Sequence, residues 1–311
     1  LKSKGCKCVF FKSTIIFRIQ SILQKSFLLN SLLKKFKIKN NFENFLLNQK
    51  FDIIYFNSPT IFSTFLEEIP FVMNIYEMQH RTDNYFPEYR KSGHSLDARD
   101  EIILNAVKKS FKLIVATEKD KKLLKELYNS YDRNVEIQPY VPQLPNLYQN
   151  QYKNENFKEI FKSLRISAKY IFFYPAQFWS HKNHKYIIDI IKFIKKSDRE
   201  DIKVIFTGHD KGNKSYISRA INDENLNENF IILDYISDKE LISLYLNCSA
   251  LIMPTFVGHS TLPLYEAFYF KLPVFFTEGL LDDKLRDLVY EIDIYKPNNF
   301  INNLNKFKND I

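Results

Sequence analysis

Residues 253–277, MPTFVGHSTLPLYEAFYFKLPVFFT, constrain this chain more than any other stretch. The apolar run Ala250–Met253 enters a loop of Gly, Ser, Thr and Pro, Leu262-Pro263 opens a short helix carrying Glu266, and Leu272-Pro273 starts another apolar strand. Strand, loop, helix and strand thus follow one another within the size of a βαβ unit. In such units ligands bind where the loop leaves the carboxyl end of the strand, and the helix start that follows offers free N–H groups to a phosphate. Glu266, about one turn into the helix, is placed to accept hydrogen bonds from sugar hydroxyls beside that phosphate. The stretch suits a nucleotide sugar.

The same alternation runs through the rest of the chain. FDIIYFN (51–57), PFVMNIY (70–76), KLIVAT (112–117) and VEIQP (135–139) read as strands, with helices over 42–48, 97–112 and 118–128. A second set follows: strands over 169–175, 202–210 and 230–233, a helix over 186–195, and Ser237 with Glu240 three residues on, a capping box. KYIFFYP (169–175) is a near-continuous apolar run, as expected of a parallel strand covered on both faces. Between the sets, residues 139–158 are rich in Pro, Asn, Gln and Tyr with little apolar period, which is linker composition. The boundary falls near 145–157, separating a domain of residues 1–150 from one of 151–311. Residues 278–295 read as acidic and helical, and INNLNKFKNDI (301–311) as an end without a long closing helix. Strands alternating with helices make an α/β chain.

Charge is unevenly spread. The chain carries +9, yet residues 1–50 alone hold +10, with Glu43 their one acid, leaving about −1 on the remainder. Residues 14–36 place Ile15, Ile19, Ile22, Leu23, Phe27, Leu29, Leu32 and Leu33 near helical spacing with Lys and Arg between them. Such a helix packs on a sheet or lies on an anionic membrane surface, and residues 1–40 are the candidate for peripheral membrane contact. No run reaches the roughly 18 apolar residues of a spanning helix, and Lys12, Arg18 and Lys25 interrupt any signal-peptide core. Three cysteines, Cys6, Cys8 and Cys248, make neither a disulfide framework nor a metal site, which suits a reducing cytoplasm, at the inner face of the membrane if the basic segment binds there. No nucleic-acid module is recognisable, so nucleic acid is not an expected partner. The chain begins at Leu1 without an initiator Met, and the expectation is that the parent protein extends beyond it at the N-terminus, and at the C-terminus as well.

PTFVGHSTLPLYEAFYFKLPVFFT resembles the donor-binding motif of the retaining group 1 (family 4) glycosyltransferases, two Glu eight positions apart around a Gly-Leu-Pro step. The second Glu matches Glu266 and the Leu-Pro step Leu262-Pro263, whereas the first Glu falls on Gly258, so that His259, Ser260 or backbone amides would hold the transferring sugar. Similar Gly-bearing versions occur in transferases that build bacterial surface polysaccharides, including lipopolysaccharide. The span 176–184, AQFWSHKNH, resembles the family's phosphate loop, where Arg and Lys stand five apart. Lys182 matches the Lys and Gln177 stands at the Arg, with His181 or His184 as candidates to supply the missing charge. Gly208 would let backbone approach the ligand, and Tyr235 and Ile236 would lie near the nucleotide base. Residues 76–90 resemble the family segment in which a strand ends in a His-Asp or Trp-Asp pair followed by a Gln-His and a Phe-Pro-Glu; here the pair is Tyr76-Glu77, followed by Gln79-His80 and Phe86-Pro87-Glu88 and then by Arg99.

The resemblance implies the GT-B architecture, two Rossmann-like domains facing a cleft. It implies a donor site of Gln177, Lys182, Gly208, Tyr235, Ile236, Gly258, His259, Ser260, Thr261, Leu262 and Glu266, an acceptor side of Glu77, Gln79, His80 and Arg99, and catalytic roles for His80, Lys182 and Glu266. The implied reaction is transfer of a sugar from a nucleoside diphosphate sugar to a glycan or lipid-linked hydroxyl, retaining, with no cofactor and no metal, since no D-x-D pair stands in a suitable loop. The alternatives are a non-catalytic membrane-associated subunit with a decayed donor site, a polyanion-binding protein, and a sugar-nucleotide epimerase.

Overall fold

The computed structural model describes residues 9–12, 15, 19, 40–91, 96–131, 134–194, 201–258 and 261–310. Cys6, Cys8, His259 and Ser260 lie outside the described residues, as does the basic stretch 14–36 apart from Ile15 and Ile19, and with it nearly all of the candidate membrane segment. Two compact units divide the chain, one of Leu1–Met78, His94–Val115 and Lys121–Ile137, the other of Gln79–Gly93, Ala116–Asp120 and Gln138–Ile311.

In the first unit β1 (Ile54–Phe56), β2 (Phe71–Asn74), β3 (Lys112–Val115) and β4 (Val135–Ile137) form a parallel sheet in the order β1-β2-β3-β4. Phe71, Met73, Leu113 and Val115 alternate along β2 and β3 and share one core with Leu46, Ile102, Ile103, Ala106 and Leu124 from the helices Asn41–Asn48, Leu96–Lys109 and Glu118–Tyr128. Asn40 caps the first of these helices, its Oδ1 accepting from the Phe42 amide at 2.7 Å. Glu43, 1% exposed, accepts from the amides of Glu67 and Glu68 at 2.7 Å each, so N–H groups replace the water its carboxylate gives up and fix the turn ahead of β2.

In the second unit β5 (Tyr170–Pro175), β6 (Ile202–Thr207), β7 (Phe230–Leu233), β8 (Ala250–Met253), β9 (Val274–Thr277) and β10 (Tyr290–Ile292) form a parallel sheet in the order β10-β9-β8-β5-β6-β7. β8 and β9 are buried along their whole length and β5 at all but its last residue, which is why they read as unbroken apolar runs. Strand order runs outward from β5 to β7 on one side and from β8 to β10 on the other. It reverses between β5 and β8, which pair at Phe172↔Ala250 and Phe173↔Leu251, and such a reversal leaves a crevice at the carboxyl ends of the central strands.

Four segments differ from the sequence reading. Residues 139–158 are helical over much of their length: Leu144–Leu147 runs into a wider turn over Tyr148–Tyr152, and Phe157–Ser163 follows. Leu144, Leu147, Tyr148, Tyr152 and Phe157 pack on the core of the second unit, a stripe hidden in sequence by the Asn and Gln between them. Residues 77–90, read as a loop, contain the short helix Gln79–Thr82 and most of Pro87–Lys91. Residues 278–295, read as helical, hold only the short helix Asp283–Arg286 before the edge strand β10. The end of the chain does form a closing helix, Pro297–Asp310, seated by Phe300, Leu304 and Phe307. Its Asn-rich remainder has poor intrinsic helicity, so packing of that apolar stripe makes the helix.

Candidate functional site

Because the six strands of the second unit run parallel, the loops after β5 (176–183), β6 (208–213), β7 (234–237) and β8 (254–261) leave the same edge of the sheet. Hydrogen bonds tie them in series. Thr207 Oγ1 donates to the Asp234 carbonyl at 2.9 Å, Phe178 N to the His209 carbonyl at 3.0 Å, and Phe256 N to the His181 carbonyl at 2.9 Å. Thr255 Oγ1 reaches the same His181 carbonyl at 3.2 Å. Gln177, Lys182, Gly208, Tyr235, Ile236, Gly258, Thr261, Leu262 and Glu266, chosen from separate stretches, are thereby gathered at one edge of one sheet; His259 and Ser260 belong to the undescribed residues.

The helix Leu262–Tyr269 starts as its sequence predicts, with Pro263 in the first turn and an extended Thr261 (φ −145°, ψ 148°) before it. The Thr261 side chain does not cap this helix start; its hydroxyl lies 4.0 Å from Met253 Sδ instead. First-turn amides left without a side-chain cap are suited to an anion. Gly258 has φ +102° with open space where a Cβ would stand, so the turn requires glycine for its conformation. Glu266 accepts from the hydroxyl of Tyr245 at 2.7 Å. Burial raises the pKa of Glu266, and the Tyr245 bond pulls it back. Tyr245 comes from the helix Asp238–Asn247, whose predicted Ser237–Glu240 capping box is present.

The loop after β5 carries a tight turn, Ser180–Lys182, closed by Asn183 in the left-handed region (φ 55°), and the helix His184–Phe193 follows with no side-chain cap. Tyr174 OH donates to the Lys182 carbonyl at 2.8 Å. Gln177 is exposed, and its Oε1 accepts from Trp179 Nε1 at 2.9 Å. Gly208, expected to let backbone approach a ligand, makes room for this loop: a Cβ there would stand 2.5 Å from the Ala176 carbonyl oxygen and 2.8 Å from the Gln177 amide.

Neither histidine of the loop replaces the cation absent at Gln177. His184 is fully buried, stacked on Phe178 at 4.6 Å and edge-on to Phe206 at 5.0 Å, and burial lowers its pKa to about 3 against the opposing effect of the Ala176 backbone. His181 Nδ1 lies 2.5 Å from Glu88 Oε1, yet burial and the neighbouring Lys182 charge hold its pKa at about 4. Burial disfavours the charged form of both rings, so the loop's charge rests on Lys182.

Tyr235 is 75% exposed and stacks on His209 at 5.8 Å, while Ile236 packs on the core. Lys211 lies over Trp179 at 5.5 Å. The sequence does not mark the pairing of His209 with Tyr235, Lys211 with Trp179 or Tyr245 with Glu266, since each joins residues distant in the chain. The acceptor-side residues fall in two units. Gln79 and His80, both buried, belong to the second; Glu77, exposed, and Arg99, half-buried in the first turn of Leu96–Lys109, belong to the first.

Among the described residues no group of three or more His, Cys, Asp or Glu could hold a metal ion. Asp282, half of the Asp282-Asp283 pair, accepts from the amides of Glu118 and Lys119, which belong to the same unit, at 3.2 and 3.3 Å. No helix among the described residues is long and apolar enough to cross a membrane.

No curated protein sequence matches the chain. Among solved structures it is similar to WaaG, a glycosyltransferase involved in lipopolysaccharide biosynthesis, at 17% identity and a TM-score of 0.58 over 76% of this chain and 62% of that one. It is similar to HepE of Anabaena in complex with UDP, at 12% identity and a TM-score of 0.58 over 86% and 78% of the two chains. It is also similar to a sucrose-phosphate synthase of Thermosynechococcus elongatus, at 12% identity and a TM-score of 0.66 over 86% and 67%. The chain spans less than two thirds of the WaaG chain. At these identities the likeness is one of fold, the α/β fold of parallel sheets found in GT-B glycosyltransferases. The sequence match is more specific, for the model of Glycosyl transferases group 1 covers residues 156–306, from the helix ahead of β5 into the closing helix. The second unit of this chain therefore contains the whole region that matches the Glycosyl transferases group 1 model.

Proposed function

We propose that the chain transfers a hexose or related sugar from a nucleoside diphosphate sugar to a hydroxyl of a glycan or lipid-linked acceptor, with retention and without a metal. The observation that carries this reading is the convergence, at one edge of the second unit's sheet, of Lys182, Glu266 and the start of Leu262–Tyr269, which Thr261 leaves without a side-chain cap bond. Departure of a diphosphate requires stabilisation of developing negative charge, which the first-turn amides and Lys182 supply as fixed dipoles and charge. Glu266 anchors the ribose through its carboxylate, and Tyr235 and Ile236 lie toward the base. Gly258 leaves the transferring sugar to backbone amides, His259 and Ser260. Glu77, Gln79, His80 and Arg99 serve the acceptor side, His80 facing the reacting sugar.

Related folds support the ligand classes: HepE is complexed with UDP and with UDP-glucose, and TarM with UDP and saccharides. A role in bacterial surface polysaccharide synthesis at the inner face of the cytoplasmic membrane, with residues 1–40 as the contact, accords with the likeness to WaaG and with the basic N-terminal segment. Calorimetric titration with UDP, GDP and CDP tests the donor site. Saturable binding of one nucleotide, weakened at least tenfold in Glu266→Ala and Lys182→Ala, supports the reading and names the base. No binding by folded protein replaces it with the non-catalytic subunit.

A further inference from the structure

Glu88 has no part in the proposed transfer, yet its side chain is only 6% exposed and it is spent entirely on one residue of the phosphate-side loop. A single oxygen, Oε1, accepts from the His181 backbone amide at 2.8 Å and contacts His181 Nδ1 at 2.5 Å. A carboxylate withdrawn from water persists only where donors replace the hydration it loses. Here both donors belong to His181, so the ring presents its N–H at Nδ1 and the pair is directional.

The surrounding side chains hold the same geometry. Tyr89 stacks on the His181 ring at 5.6 Å and 26°, and Phe86 packs on Phe256 at 5.5 Å, inside a small apolar cluster with Val257. Phe86, Glu88 and Tyr89 therefore grip both loops that flank the reversal between β5 and β8.

At the centre of that grip every main-chain polar atom of His181 and Lys182 is engaged. The His181 amide goes to Glu88; its carbonyl accepts from the Phe256 amide at 2.9 Å and Thr255 Oγ1 at 3.2 Å; the Lys182 amide goes to the Trp179 carbonyl at 3.1 Å; and the Lys182 carbonyl accepts from Tyr174. Partners from 79–93, from β5 and from the loop after β8 thus meet on two residues. Of these bonds, the one to Glu88 is the charged one, and charge-assisted bonds are the stronger kind.

We infer that Glu88 is a positioning residue that, through His181, locks the loop after β5 to the loop after β8, fixing Lys182 relative to the start of the helix Leu262–Tyr269. The inference rests on the donor-site reading above for its benefit to binding, but not for its mechanical content. Fixing two groups in advance of a ligand spares the ordering cost at binding, so the lock contributes affinity without touching the nucleotide.

The test uses Glu88→Ala and Glu88→Gln in the full chain, with amide hydrogen exchange in the absence of ligand and calorimetry with the nucleotide that the wild type binds. Glu88→Ala is expected to raise exchange at least tenfold at the Phe256 amide, which Glu88 does not touch, and to weaken nucleotide binding about fivefold. Glu88→Gln, which retains an acceptor for both His181 donors, is expected to restore most of each. Should Glu88→Ala fail to fold, Glu88→Gln and His181→Ala carry the exchange measurement, the first protected at Phe256 and the second not. Unchanged Phe256 exchange in a folded Glu88→Ala overturns the lock. Faster exchange with unchanged nucleotide affinity overturns its positioning role while leaving the donor site standing. Absence of nucleotide binding in the wild type sinks the donor-site reading, and the exchange result then decides the lock alone.

Discussion

The hydroxyl of Tyr245 sits 2.7 Å from Glu266 Oε2, and it is the bond that opposes burial in setting the protonation of that carboxylate. Removing it with Tyr245→Phe leaves a half-buried carboxylate with one donor fewer, so the Glu266 pKa rises further. The expected cost is about 1–2 kcal/mol of stability, read from urea midpoints. If ionised Glu266 binds the ribose, the variant also loses more nucleotide affinity at pH 6 than at pH 8. Calorimetry giving the same loss at both pH values would separate Glu266 from the ligand.

Two glycines with positive φ test different physics. Gly208→Ala drives a Cβ to 2.5 Å from a backbone oxygen that cannot swing away, so about 2–3 kcal/mol of stability is expected to be lost. Gly258→Ala meets nothing within 4 Å and suffers only the strain of its φ, about 1–2 kcal/mol. Equal midpoints for the two variants would contradict the close approach at Gly208.

His184 predicts an acid sensitivity. Its folded pKa, about 3, is below that of the unfolded chain, so the unfolded state binds the extra proton and stability falls as pH drops below about 6.5. His181, at about 4, adds in the same direction, with Lys182 opposing its protonation and Glu88 and Asp83 favouring it. At pH 5 the expected loss is about 2 kcal/mol for His184 alone. His184→Phe keeps the aromatic packing against Tyr174, Phe178 and Phe206 and removes the titration. Denaturation midpoints at pH 7.5, 6 and 5 are expected to converge in that variant by this amount.

If Lys182 and the start of Leu262–Tyr269 stabilise the leaving diphosphate, as proposed, no cation of higher charge is required. Transfer assayed after EDTA treatment is expected to proceed at an unchanged rate. Loss of activity restored by Mg²⁺ would reverse the metal-free reading.

Much of the second unit was legible because its information is local. The strand Ala250–Met253, the Leu262-Pro263 helix start and the Ser237 capping box depend on residues adjacent in sequence, and all three stand where they were read. The closing helix and β10 escaped because each is made by a partner. Phe300, Leu304 and Phe307 stabilise an Asn-rich helix only once a core receives them, and Tyr290–Ile292 becomes a strand only beside β9.

Sequence alone determined the order of β1 to β9, the α/β class and the residue types offered at the carboxyl ends of β5 and β8, because apolar period, proline and caps act within a few residues. Tertiary structure alone decided which of those residues act on one another. That burial disfavours the charged form of His181 against Glu88, that His184 is sealed among aromatic rings and that Gly208 yields its space to Ala176 all depend on groups distant in the chain. Burial and hydrogen bonding set the charge of a side chain, and both are properties of the packed environment rather than of the residue.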